Sequence, residues 1–61
     1  MANLTSKELT ALEDQIGMEK TLVKKYQAMS GLCTDAKLKQ CLSDVAQKHQ
    51  QHYNTLLTFL Q

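Results

Sequence analysis

The chain has 61 residues, of which 43% are hydrophobic, and its seven lysines against six acidic residues give a formal net charge of +1. A chain of this length forms one small domain and excludes a multidomain enzyme. It contains no arginine. Because the guanidinium group dominates phosphate and base recognition, this absence and the balanced charge argue against a nucleic-acid partner.

The sequence also lacks the segments that direct a chain into or across a membrane. No stretch is apolar over the length of a transmembrane helix, and the amino terminus, Met1 to Thr5, has neither a basic segment nor an apolar run. We therefore expect cytoplasmic synthesis and no membrane partner. Cys33 and Cys41 are too far apart along the chain to bridge each other without distorting a helix, so we expect two reduced thiols.

The first predicted helix covers about residues 6–30. Thr5 and Glu8 have the spacing of a capping box, in which each side chain satisfies a free backbone N–H group at the start of a helix. Gly31 is expected to end the helix in a left-handed conformation, with Leu32 folding back as an apolar contact. Residues suited to face a neighbouring helix recur at steps of three and four: Leu9, Leu12, Ile16, Glu19, Val23, Tyr26 and Ser30.

The second predicted helix covers about residues 35–60, after a turn at about residues 31–34, and Thr34 or Asp35 is its expected cap. Its residues facing a neighbour also follow steps of four and three: Leu38, Leu42, Val45, His49, His52, Leu56 and Phe59. Two helices of similar length joined by a short turn predict an antiparallel helical hairpin, and this hairpin makes up the single domain, residues 1–61.

The apolar arcs of both helices are wider than one neighbouring helix requires, so each helix should contact two others. A chain this small also gains little stability from its own core. We therefore predict an all-α fold in which the hairpin forms a four-helix bundle by homodimerisation, with the chain itself as partner in a dimer or a higher assembly. Gly17 lies on the polar side of the first helix, and a close contact with another chain is the one role we can suggest for it.

Three polar residues interrupt these rows: Glu19 in the first helix, and His49 and His52 in the second. With the turn centred near Leu32, Glu19 comes within about three residues, or ~4.5 Å, of the level of His49. We expect the three side chains to be at least partly buried and Glu19 to meet the imidazoles. One interpretation is structural: Glu19 accepts a hydrogen bond from an imidazole, and the pair fixes the register of the helices.

The other interpretation is a metal site. His49 and His52 project from adjacent turns, Glu19 adds a carboxylate from the facing helix, and this donor set suits zinc or iron. We place the structural interpretation first, because a single His-x-x-His without a longer spacing pattern is a weak metal signature. No other cofactor is expected.

Glu19 and Tyr26 of the first helix, with the segments TDAKLKQCL at 34–42 and KHQQHY at 48–53, resemble the small spore coat proteins of the coat F type. The likeness extends over about residues 9–59. Those proteins belong to the ferritin-like group of helical bundles. The resemblance therefore implies a ferritin-like half-bundle, a location in the spore coat, and other spore coat proteins as partners.

Ferritin-like proteins generally place a glutamate on one helix and Glu-x-x-His on the next. Glu19 and His52 match that arrangement, and the resemblance implies that they are metal ligands. His49 stands where the family has its second glutamate, which removes the bridging carboxylate that oxygen chemistry at paired irons would use. We therefore expect no ferroxidase activity.

Three functions follow from these patterns. The preferred one is a non-enzymatic structural protein that self-associates, because no nucleophile and base pair, phosphate-binding loop or substrate pocket can be recognised in the sequence. The alternative is a ferritin-like metal-binding bundle that uses Glu19, His49 and His52. The third is an RNA-binding hairpin dimer, against which the absence of arginine and the near-neutral charge argue.

Overall fold

A computed structural model of the chain describes residues 3–61 and contains two helices joined by a short linker. The elements are α1 at Ser6–Leu32, α2 at Ala36–Leu57 and a 3₁₀ turn at Thr58–Leu60. No β-strand occurs between residues 3 and 61. The predicted all-α hairpin is confirmed over this range, and residues 1 and 2 of the predicted domain lie outside it.

Hydrogen bonds between the helices show that they run antiparallel. Near the linker, the hydroxyl of Ser30 donates to the backbone carbonyl of Lys39 at 3.0 Å. Further from the linker, Glu19 of α1 is bonded to His49 of α2. The partner in α2 moves toward the carboxyl terminus as the residue in α1 moves toward the amino terminus, as an antiparallel pair requires.

The start of α1 is the predicted capping box. The backbone N–H of Glu8 donates to the Thr5 hydroxyl oxygen at 3.1 Å, and the backbone N–H of Thr5 donates to the Glu8 carboxylate at 3.0 Å. These two bonds satisfy amides that a helix start otherwise leaves free. They also hold the pKa of the Glu8 carboxyl below its usual value, mainly through the backbone bond from Thr5.

The predicted turn at 31–34 is wrong in its details. α1 continues through Gly31 to Leu32, and no residue of the described chain has a positive φ. The backbone N–H of Cys33 closes the last helical turn by donating to the backbone carbonyl of Ser30 at 3.2 Å. Leu32 is 84% exposed, which shows that it does not fold back as an apolar contact.

The linker reverses the chain over residues 33–35 without a left-handed residue. Cys33 is extended, at φ −79° and ψ 138°. Of the two predicted caps, Asp35 is the one used, and its carboxylate accepts from the N–H of Leu38 at 2.7 Å. Extended backbone followed at once by a capped helix start is sufficient to reverse the chain. The turn therefore does not require a glycine.

The two helices bury little between them. Val23 and Ala46, at 7% and 3% exposure, are the buried apolar side chains of the region covered by the structure. The predicted rows also bury two polar residues, Glu19 and Ser30. Their other members are half-buried, apart from four exposed ones: Leu9, Leu38, His52 and Phe59. The interface is therefore a thin line of contact rather than a filled core.

One broad face of the hairpin is apolar. On α1, Met18, Leu22 and Met29 follow Gln15 at helical steps of three, four and seven, which places them in one strip. On α2, Leu38, Cys41 and Val45 form a strip that continues to His52 and Thr55. Gln15, His52 and Thr55 line one cleft between the helices, so both strips border the same side. We call this side the apolar face: Met18, Leu22, Met29, Leu38, Cys41 and Val45.

The opposite face is polar. A second cleft between the helices is lined there by Lys20, Lys24, Gln27 and Gln50, together with Val23 and Tyr53. The hairpin is thus one layer with two unlike sides. No helix found within residues 3–61 combines the length and the apolar character needed to cross a membrane.

The conformation of Gly31 can be tested by substitution. A Cβ added at Gly31 or at Gly17 would meet no atom within 4 Å, and both residues are helical. Because alanine loses less backbone entropy than glycine, Gly31→Ala should raise the free energy of unfolding by about 0.5–1 kcal/mol, measured by urea denaturation. Gly17→Ala is the matched control and should give a similar gain. A loss for Gly31→Ala beside a gain for Gly17→Ala would instead indicate a left-handed residue.

Candidate metal centre

The structure brings Glu19, His49 and His52 together across the hairpin. The Nδ1–H group of His49 donates to Oε2 of Glu19 at 2.7 Å, and Nδ1 of His52 lies 3.5 Å from the same oxygen. One ligand atom from each residue lies within 4.8 Å of the other two. The expectation that Glu19 reaches the level of the histidines is therefore confirmed.

The three side chains differ in exposure. The Glu19 side chain is 8% exposed, that of His49 is 22% exposed and that of His52 is 59% exposed. The expected burial thus holds for Glu19 and His49, whereas His52 is largely open to solvent in the single hairpin. His52 lies at the edge of the helix interface, in the strip that continues from the apolar face. Its ring therefore approaches Glu19 from the solvent side.

Two further residues orient the cluster. Gln15, one turn before Glu19, donates its side-chain N–H to Oε1 of the carboxylate at 3.1 Å. The Tyr26 ring stacks on His49, with centroids 5.8 Å apart and planes 8° from parallel. Sequence reasoning placed Tyr26 in the packing row but missed Gln15, although its position four residues before Glu19 was the available signal.

The Glu19 carboxylate is held in its ionised form. The hydrogen bond from His49 is the main reason why the pKa of Glu19 lies below its ordinary value of 4.5. Burial acts in the opposite direction, while the bond from Gln15 and the charges of the two histidines lower this pKa further. Glu19 is therefore an anion at neutral pH, which is the form that binds a metal ion.

One carboxylate and two imidazole nitrogens form a donor set used for zinc and for iron. Metal-ligand bonds of 2.0–2.1 Å in a tetrahedral site place the ligand atoms about 3.3 Å from one another. The distance of 3.5 Å between Oε2 of Glu19 and Nδ1 of His52 is close to this spacing. The distance of 2.7 Å between the same oxygen and Nδ1 of His49 would have to increase slightly. The three ligand atoms lie within 4.8 Å of one another, so the wider separations would have to close for all three to bind one ion.

The same contacts also satisfy the cluster without a metal. Both oxygens of Glu19 accept hydrogen bonds, from Gln15 and from His49. Within the described chain, no buried side-chain nitrogen or oxygen lacks a partner. The geometry is thus compatible with both interpretations drawn from the sequence, the polar layer and the metal site.

The cluster opens onto a cleft on the same side of the hairpin as the apolar face. Glu19 and His52 line this cleft of about 300 Å³. Its other walls are Gln15, Thr55 and Leu56. Whatever occupies the cleft would therefore contact the carboxylate and the exposed imidazole.

The two cysteines do not form a disulfide with each other. Cys33 is half-buried, Cys41 is exposed and both are free thiols.

Acid should weaken the fold through Glu19. Because the folded-state pKa lies below 4.5, the ionised carboxylate stabilises the fold above about pH 4.5, and this stabilisation is lost as the pH falls through the folded pKa. Thermal unfolding should be measured for the native chain and for Glu19→Gln at pH 7 and at pH 3. The native chain should have the higher Tm at pH 7, and its advantage over Glu19→Gln should be smaller at pH 3. His49→Gln, which removes the main hydrogen bond, should reduce this pH-dependent change. Equal differences at both pH values would contradict a stabilising carboxylate.

No protein-family model, curated protein or solved structure matches the chain. The resemblance to spore coat proteins of the coat F type therefore stays a prediction, which rests on the pattern around Glu19, Tyr26 and the histidine pair. The function is accordingly inferred from the surfaces and side chains of the hairpin itself.

Proposed function

We propose that the protein is a non-enzymatic structural protein in which two hairpins pair through their apolar faces and form a four-helix bundle. The observation that carries this proposal is the imbalance between core and surface. The buried apolar side chains are Val23 and Ala46, whereas Met18 and Leu38 are 56% and 50% exposed. Pairing would remove these exposed side chains from water, at about 25 cal/mol for each Å² of apolar surface buried.

The dimensions of the hairpin suit such an interface. It measures 46 × 15 × 11 Å, so the whole broad side, of which the apolar face is one part, covers roughly 700 Å² in projection. Two such sides in full overlap give ~1,400 Å², which falls in the range of specific protein–protein interfaces. A second copy is the natural occupant, because a two-fold axis sets the same apolar face against itself and leaves the polar face with Lys20 and Lys24 outward.

The resemblance described above extends this proposal to a biological setting. The single hairpin corresponds to the ferritin-like half-bundle that the resemblance implies, and two hairpins would make the complete four-helix bundle. We propose the spore coat as the location and other coat proteins as further partners. The residues that support this step are the same Glu19, Tyr26 and histidine pattern.

Pairing can be tested with two lysine substitutions on the same helix. At about 10–100 µM, sedimentation equilibrium should give twice the chain mass. Met18→Lys puts a charge on the apolar face and should weaken the dimer at least tenfold, whereas Gln27→Lys puts the same charge on the polar face and should leave it unchanged. Circular dichroism of both variants checks that the helices form. A stable helical monomer at these concentrations would contradict the proposal.

A second candidate function is metal binding. The specific observation in its favour is that Glu19, His49 and His52 each place one ligand atom within 4.8 Å of the others. Glu19 is also an anion at neutral pH and is oriented by Gln15, which are properties of a prepared ligand. We propose that this cluster binds a single zinc or ferrous ion, since it offers only one carboxylate.

Zinc uptake tests this second function. Isothermal titration calorimetry of the reduced protein should show one Zn²⁺ per chain with a Kd at or below about 1 µM. His49→Ala combined with His52→Ala should abolish binding, and Glu19→Gln should weaken it at least tenfold. The matched control is Cys33→Ser combined with Cys41→Ser, which should leave binding unchanged. Uptake that follows the cysteines, or no uptake, would contradict the site.

A further inference from the structure

We infer that metal binding and pairing of the hairpins strengthen each other, because an ion held by Glu19, His49 and His52 lies where the second copy docks. This inference rests on both proposed functions and links them. Its starting point is that the cleft lined by Glu19 and His52 lies on the same side of the hairpin as the apolar face, next to the end of the two strips at Met18 and Val45. A second hairpin seated on the apolar face would close this cleft.

The cluster lies near the middle of the hairpin, at the end of the apolar face that is further from the linker. α1 runs from residue 6 to residue 32, so Glu19 is its middle residue. Two hairpins overlap along their full length when the two-fold axis passes near the middle of each. The same residues of the second copy would then come to lie opposite the cluster.

Without an ion, this docking has an energetic cost. The His52 side chain is 59% exposed, and its Nδ1 lies 3.5 Å from the Glu19 oxygen, too far for a good hydrogen bond. Covering the cleft would remove this imidazole from water with incomplete pairing, which opposes association.

An ion would remove most of this cost. Bound between the three residues, it would coordinate the imidazole nitrogens and offset the negative charge of Glu19. Zinc sites that stabilise protein structure generally have four ligands, and a single chain brings three together here. Because Glu19 and His52 line the cleft, a group from a second copy seated there could supply the fourth ligand. The dimer would then complete the site.

The effect on pairing and the effect on zinc binding are tied to each other. Because a dimer holds two ions, the factor by which zinc tightens the dimer equals the product of the factors by which dimerisation tightens the two ions. We expect at least a tenfold change for the dimer, which corresponds to about threefold for each ion. Zinc would therefore make the assembly of this protein responsive to metal supply.

The test is sedimentation equilibrium of the reduced chain over a dilution series, with saturating ZnCl₂ and with chelator. Zinc should lower the dimer Kd at least tenfold. His52→Gln, which removes the exposed ligand, should keep the pairing but lose the zinc effect, whereas Gln50→Ala on the polar face should keep both. Cys41→Ser should also keep both, and a zinc effect lost in this variant would overturn the inference in favour of a thiol cross-link.

Zinc titrations of the same samples, above and below the dimer Kd, distinguish the remaining outcomes. Tighter zinc binding at the higher concentration supports the inference. Zinc binding with an unchanged or weakened dimer overturns it and leaves both proposed functions standing. No zinc binding overturns it together with the metal site, and no pairing with or without zinc overturns it together with the four-helix bundle.

Discussion

A hairpin of two helices has only one helix–helix interface in which to bury side chains, and the rest of this structure follows from that constraint. Each helix can turn only part of its circumference toward its neighbour. Here that part contains Val23 and Ala46 as its buried apolar residues. A chain with 43% hydrophobic residues must then leave many of them on its surface, and Met18, Met29 and Leu38 are exposed members of the apolar face.

The centre of this narrow interface is polar rather than apolar. Glu19 is 6% exposed and sits where a leucine would add more packing. Its carboxylate is tolerated because Gln15 and His49 bond both oxygens, and Tyr26 supports the histidine ring by stacking. A buried charge of this kind contributes little net stability but is costly to leave unpaired, so it fixes how the helices align.

The same arrangement links the two proposed functions. Glu19 is held in the interface, while His52 reaches the surface and borders the cleft on the side of the apolar face. A metal ion or a second hairpin approaching that side would therefore meet one group of side chains. Structural self-association and metal binding are in this sense two uses of one surface.

Local sequence determined the helices and the level at which they meet. Thr5, Glu8 and Asp35 act on residues three positions away, so their caps can be recognised without a fold. The meeting of Glu19 with His49 follows from the constant rise of a helix. Only the tertiary structure decided that Gly31 stays helical and that His52 is exposed. Both depend on the path of the linker and on the rotation of each helix about its axis. No spacing in the sequence specifies either of these.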